Sequence, residues 1–201
     1  NKFNCSISNL SNDISLLAIQ GPKAELFCQN FTSKNLSSLK NYSFINGDFA
    51  GCEDIIISKT GYTGSGGYEI YVPNNKALNI WDTLFLNKEY DLKPIGLAAR
   101  DTLRIEMGYC LYGNDINEET SPLEANLRWI TKVETNFIGS NIIETEIQKG
   151  VKRKLVGFKL LEKSIPRNGY EIYSIEKKLI GKVTSGTFSP ILKIGIGLAY
   201  I

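Results

Sequence analysis

Apolar and polar positions separate this chain into strands and helices before any single residue is considered. ISLLAI, from Ile14 to Ile19, is almost wholly apolar and predicts a buried strand. Gly21-Pro22 ends it and opens KAELFCQNF as a helix with Pro at a first helical position. β-formers fill Tyr42 to Phe49 and Asp54 to Lys59. A glycine-rich turn from Gly61 to Gly67 then leads into YEIYV, so these segments predict a meander. NKALNIWDTLFLNK places Leu78, Trp81, Leu84 and Phe85 at helical spacing, and after Pro94 the stretch GLAARDTLRIEMG presents Leu97, Leu103 and Met107 in the same way. Strands and helices mix without strict βαβ alternation, which predicts an α+β domain.

From Gly113 to Gly139 the pattern is irregular, and NDINEETSPLEA is polar enough to run over a surface; loops of this length are usually functional. KGVKRK, from Lys149 to Lys154, reads as a solvated linker, since six residues without interleaved aromatics make a poor nucleic-acid patch. KLVGFKLL, GYEIYSI, KLIGKVTSG and IGIGLAYI follow as short strands between turn residues. The expected division is therefore a mixed domain over residues 1–150 and an all-β domain over 151–201.

Composition narrows the chemistry. At 201 residues, 42% hydrophobic and 22% charged, the chain can bury a sizeable core. A net charge of +2 gives no electrostatic case for nucleic acid or an anionic membrane. The absence of histidine removes Ser-His-Asp and Cys-His nucleophiles, His-containing zinc sites and imidazole bases. Cys5, Cys28, Cys52 and Cys110 are scattered singly without a CxxC pair, as expected of a reducing compartment. No apolar run approaches the roughly 18 residues that span a bilayer. Sequons at Asn4, Asn9, Asn30, Asn35 and Asn41 are expected by chance in a chain so rich in Asn and Ser. The chain begins at Asn1 without Met and stops at Ile201 within an apolar run, and it reads as a segment of something longer.

Three stretches could carry chemistry. GYTGSGGYE fits neither a GxGxxG register nor a P-loop, so a tight turn between strands is the plain account. It leaves Glu69 unexplained: the expectation is that Glu69 shares a face with Tyr71 only through a bulge, and register alone leaves open whether it faces core or solvent. In LAARDTLRIE, Arg100 and Arg104 fall on one helical face, where both are expected to be solvated, with Arg104 weakly paired to Asp101 or Glu106. Asp115, Glu118, Glu119 and Glu124 match no EF-hand spacing and read as a solvated acidic loop rather than a metal site.

Taken in order, these stretches carry a resemblance. LLAIQGPKA, SKTGYTGSGGYEIYVP, GLAARDTLRIEMGYCLYGNDINEETSPLEANLRW, FIG, RKLVGFKL, IPRNGYEI and GKVTSGTFSPILKIGIGLAY resemble the T-protein, or aminomethyltransferase, family of the glycine cleavage system over nearly the whole chain. The resemblance implies a folate-binding domain followed by part of a small β-barrel. It implies transfer of the one-carbon unit from the aminomethyl-lipoyl arm of H-protein to tetrahydrofolate, giving 5,10-methylenetetrahydrofolate and ammonia. The family's folate-binding Glu and Arg correspond here to Glu69 and Arg100. A carboxylate can accept two adjacent N–H groups of a pterin edge, Arg supplies a planar fork, and Tyr62 offers an aromatic wall with a polar tip.

Two departures stand beside it: Ser65-Gly66 replaces the family's usual Glu-Asp, and Asn168 replaces a common His. The family's assisting aspartate lies in a stretch upstream of LLAIQGP, so none of this chain's residues is expected to be catalytic, Asp101 included. No metal or redox cofactor is implied. The implied location is the cytoplasm, or the mitochondrial matrix in a eukaryote. Two rivals share the fold: the folate-binding part of a sarcosine or dimethylglycine dehydrogenase, and a non-catalytic folate-binding factor of iron-sulfur assembly. The second is disfavoured because its Lys-Gly-Cys motif is missing where this chain has NFIG.

Overall fold

Alternating β-branched and aromatic residues build the first sheet. The computed structural model describes residues 4–201, which divide into two compact units, one ending at Ile95 and the other spanning Gly96–Ile201. In the first unit the elements are β1 (Ile14–Gln20), α1 (Ala24–Gln29), β2 (Phe44–Phe49), β3 (Cys52–Ser58), β4 (Gly67–Pro73) and α2 (Asn74–Leu86). The predicted meander is present as β2, β3 and β4, and β1 adds to its far side, giving the antiparallel order β1-β4-β3-β2. α1 begins two residues after Pro22, which sits in the turn before the helix.

The register assigns each residue a face. Tyr68, Ile70 and Val72 of β4 are buried together with Ile55 and Ile57 of β3 and Ile19 of β1, and α1 and α2 add Phe27, Cys28, Ile80 and Leu84 to this core. Fully burying one such Ile or Leu side chain contributes about 1.5–3 kcal/mol. The apolar stripe expected on α2 is only partly internal: Leu84 is buried, but Leu78 and Trp81 are exposed and Ile80 takes the inward position.

In the second unit, α3 (Leu97–Glu106) precedes the irregular segment, and α4 (Ser140–Lys149) fills a stretch to which the pattern assigns no element. β5 (Leu155–Lys159), β6 (Glu171–Tyr173), β7 (Leu179–Ser189) and β8 (Ile194–Tyr200) form a second antiparallel sheet in the order β5-β8-β7-β6. Gly195 lets the chain pass close to itself here, since a Cβ would lie 2.3 Å from the Ser164 carbonyl oxygen.

The stripe expected to bury α3 faces outward. Leu97 is 78% exposed, Met107 47% and Leu103 36%, while Arg104 and Ile105 are the buried residues of the helix. Polar contacts with β7 replace the missing apolar ones. Thr102 lies 2.9 Å from Thr187, Arg104 donates to Ser185 at 2.8 Å, and Ser189 donates to Glu106 at 2.5 Å. The boundary between the units, at Ile95/Gly96, falls just before α3. Among the described residues no helix is long and apolar enough to cross a membrane.

Candidate functional site

The sequence-predicted residues fall in both units: Tyr62 and Glu69 in the first, Arg100 in the second. Glu69 is the third residue of β4, paired with Ala18 of β1 and Ser58 of β3. The β1–β4 register runs without a shift from Ile14 opposite Pro73 to Gln20 opposite Gly67. Glu69 therefore shares a face with Tyr71 by ordinary alternation, without the bulge that the sequence expectation made the condition for it. Nor does it face the core, because Tyr68 and Ile70 on either side of it are buried.

That open face has a distinct chemical character. Cross-strand pairing sets Phe44, Ser58, Glu69 and Ala18 in one row and Asn46, Ile56, Tyr71 and Leu16 in the next. Leu16 and Phe44 are exposed and Tyr71 and Ile56 half-buried, so one carboxylate stands in a largely apolar and aromatic surface. Thr60 donates its hydroxyl to a Glu69 oxygen and lies 3.0 Å from the Ser58 hydroxyl, which fixes the carboxylate's direction. Burial, reinforced by the Glu69 charge, pushes the Tyr71 hydroxyl above its ordinary value of 10.0 and keeps it protonated at neutral pH.

The loop carrying Tyr62 joins β3 to β4 and is tied down from β1. The Gln20 side-chain amide donates to the carbonyls of Thr60 and Tyr68 at 3.2 and 3.3 Å and accepts from Thr63 at 3.2 Å. Gly67 is required where this loop enters β4, since a Cβ would sit 2.4 Å from the Ile19 carbonyl oxygen. Tyr62 is half-buried in this loop. Thr60 and Gln20 are contributions the sequence reading missed. The Ser58–Glu69 register, which sets the start of β4 beside the end of β3, is the signal that finds Thr60.

Arg100 is half-buried on α3, one turn before Arg104. The expectation of two solvated arginines fails at Arg104, which is fully buried with every guanidinium nitrogen partnered. Nε donates to Asp101 at 2.7 Å, one terminal nitrogen reaches Asp115 at 2.5 Å and the Tyr109 carbonyl at 3.1 Å, and the other reaches Ser185 at 2.8 Å and Asp101 at 2.6 Å. The expected partner Glu106 binds Ser189 instead.

Asp115 is likewise buried, not part of a solvated loop. It accepts from Arg104, from the Leu111 amide at 2.9 Å and from Thr184 at 2.5 Å. A register shift between Val183 and Ser185 makes Thr184 the bulged residue, and bulges commonly re-aim a side chain in this way. Glu124 pairs with Arg153, while Glu118 and Glu119 are exposed. Among the described residues no group of three or more His, Cys, Asp or Glu gathers as a metal site. Two surface depressions lie against α1 and β2, one lined by Glu25, Gln29 and Ser33 and one by Phe31, Asp48 and Thr83; neither includes Tyr62, Glu69 or Arg100.

Comparison with known proteins places this chain in a family. Residues 1–135 match the GCVT N-terminal domain and residues 153–201 the glycine cleavage T-protein C-terminal barrel domain. The chain is 54% identical over 202 residues to the aminomethyltransferase of Flavobacterium psychrophilum, covering 100% of this chain and 56% of that protein. It is 51% identical over 205 residues to that of Porphyromonas gingivalis, covering 100% and 57%. A crystal structure of the glycine cleavage system aminomethyltransferase T from Bartonella henselae superimposes with a TM-score of 0.83 at 33% identity, over 94% of this chain and 51% of that one. The chain thus spans little more than half the length of the curated relatives it matches. With both family domains matched in order and the fold shared, the chain belongs to the glycine cleavage T-protein family.

Proposed function

We propose that this chain supplies the reduced-folate-binding part of an aminomethyltransferase that takes the one-carbon unit from the aminomethyl-lipoyl arm of H-protein. Tetrahydrofolate, as co-substrate, supplies the amine nitrogens that accept this unit, and ammonia and the dihydrolipoyl thiol are the other products. The observation that carries the proposal is Glu69: a carboxylate oriented by Thr60 on an open sheet face lined by Phe44, Leu16, Ile56 and Tyr71. A flat heterocycle with paired N–H donors on one edge matches such a surface, its face stacking on apolar groups and its edge meeting the carboxylate.

In this reading Glu69 binds and orients the pterin edge. Tyr62 contributes an aromatic wall beside it, and Arg100, in the second unit, is a folate-binding residue by family resemblance, its charged planar fork suited to a carbonyl or carboxylate. Residues 1–150 then form the folate-binding domain and 151–201 belong to the barrel domain. The chain's contribution to rate is positioning and exclusion of water around the reacting nitrogen, which in favourable systems accounts for about 7–11 kcal/mol of a barrier. The cytoplasm, or a mitochondrial matrix, is the compartment proposed.

The experiment is ammonia release from aminomethylated H-protein by the complete gene product that carries these residues. Release should require tetrahydrofolate and fall by about 100-fold or more in Glu69→Gln, which keeps the shape but loses the charge that two donors need. Release independent of tetrahydrofolate, or undiminished in that variant, would overturn the proposal.

A further inference from the structure

We propose that the buried Arg104–Asp115 pair is a positioning device that sets the rotation and register of α3, and through it the placement of Arg100. The inference rests on the reading of Arg100 as a folate ligand and adds a role for two residues outside the ligand set.

The starting point is how α3 is held. A helix packed by an apolar stripe tolerates small rotations better than one held by hydrogen bonds, because hydrophobic burial is non-directional. α3 lacks such a stripe: Leu97, Leu103 and Met107 point outward, and Ile105 is its one buried apolar side chain. Its anchorage is a row of hydrogen bonds from Thr102, Arg104 and Glu106 to Thr187, Ser185 and Ser189 of β7. Such bonds weaken steeply as angles depart from linear, so this row defines one rotation of the helix.

Arg104 is the centre of that row. Its guanidinium joins Asp101 on the helix, the Tyr109 carbonyl just after it, Asp115 in the following segment and Ser185 on β7. Asp115 extends the network: it accepts from the Leu111 amide and from Thr184, and its carbonyl accepts from Tyr200 of β8 at 2.8 Å. Helix, following segment and two strands thus converge on one ion pair shielded from water, with none of its side-chain N or O atoms left unsatisfied among the described residues. No ligand can reach this pair directly, since both side chains have no solvent-exposed surface.

Arg100 precedes Arg104 by four residues, about 6 Å along the axis and on nearly the same face. Helical side chains reach about 5–6 Å from the helix axis, so a rotation of about 10° would move the end of such a side chain by ~1 Å. Displacements of about 1 Å can cost 100-fold where geometry controls rate. A planar five-donor fork holds the rotation; a lysine ammonium would keep the charge and lose the directions.

The test is a double-mutant cycle on the complete gene product that carries these residues. Tetrahydrofolate affinity is measured by calorimetry for wild type, Arg104→Lys, Arg100→Ala and the double variant, with hydrogen exchange of the α3 amides followed in parallel. Arg104→Lys should speed exchange across residues 97–107 and weaken binding about tenfold in the wild-type background, but not measurably further when Arg100 is already Ala. Equal weakening in both backgrounds, or no weakening where Arg100→Ala does weaken binding, would overturn the positioning role. Should Arg100→Ala leave affinity unchanged, the reading of Arg100 as a ligand falls and the functional half of the proposal with it, while the exchange data still decide whether Arg104 sets the helix. Should Arg104→Lys not fold, Ser185→Ala takes its place in the cycle with about a threefold effect expected and the same non-additivity.

Discussion

Arg104 and Asp115 show how far a residue's role departs from what its neighbours in sequence suggest. Helical spacing correctly places Arg104 on one face with Arg100, yet whether that face is wet depends on partners 11 and 81 residues away, which no local pattern reveals. Breaking a buried pair leaves a charge without its partner, so Asp115→Ala should destabilise the fold by about 3–5 kcal/mol, measured as a shift of the denaturant midpoint at constant slope. A loss below about 1 kcal/mol would show that water reaches the site. Glu69 is the reverse case. Simple i, i+2 alternation in β4 places it on one face with Tyr71, so no bulge is needed as the condition for that pairing, and the burial of Tyr68 and Ile70 decides which face meets the core. Its orienting partner Thr60 becomes legible only once the β3–β4 register is known. At Arg100, replacement by Lys should weaken tetrahydrofolate binding in the same calorimetric titration, because a point charge cannot reproduce a fork. Full affinity in Arg100→Lys would reduce its role to charge alone.

At the scale of elements, seven of the eight strands among the described residues, β1 through β5, β7 and β8, follow directly from runs of β-formers between turn residues, and β6 is the short core of GYEIYSI. α1, α2 and α3 are legible as helices, but the faces of α2 and α3 are not. The stripes on α2 and α3 suggest inward leucines, whereas Leu78 and Leu97 are exposed and α3 is held by polar teeth. α4 escaped notice because its sequence, SNIIETEIQK, buries only Ile143. α1 shows a charged contribution to docking that pH can report. Glu25 accepts from Lys59 at 2.8 Å and from the Tyr68 hydroxyl at 2.9 Å, and the Lys59 bond chiefly, then the Tyr68 bond, hold its carboxyl below the ordinary 4.5. The folded state therefore binds fewer protons than the unfolded chain near that pH. This contribution to stability is fully present above about pH 4.5 and is lost as pH falls through the lower folded value. Glu25→Gln should lower stability at pH 7 and flatten the decline in acid, read from urea midpoints between pH 6 and pH 3. An unchanged acid limb would assign the decline to other carboxylates.

Over the whole molecule, packing adds a division at Ile95/Gly96 that no change of element type marks. The segment that follows Ile95 belongs by family match with the residues before it as far as 135, but it packs into the unit that contains the C-terminal sheet. A change of element type and the linker composition are visible in sequence near 151; the side chains that join α3 to β7 are not. The cysteines give a test of the fold as a unit. All four are free; Cys28 is buried and its thiol is pushed up to about 12 by burial, whereas Cys5 is exposed. Thiol reagents at pH 8 should modify Cys5 rapidly and Cys28 only at the rate of unfolding, as read by mass spectrometry of the labelled protein. Rapid labelling of Cys28 would mean that the α1 side of the core opens locally. The central claim, that the open face around Glu69 receives reduced folate, is tested most directly by calorimetric titration of tetrahydrofolate into wild type and Glu69→Ala. The account predicts saturable binding that weakens by about 2–3 kcal/mol, roughly 30- to 150-fold, in a variant that still folds. Equal affinity in the two proteins would contradict it.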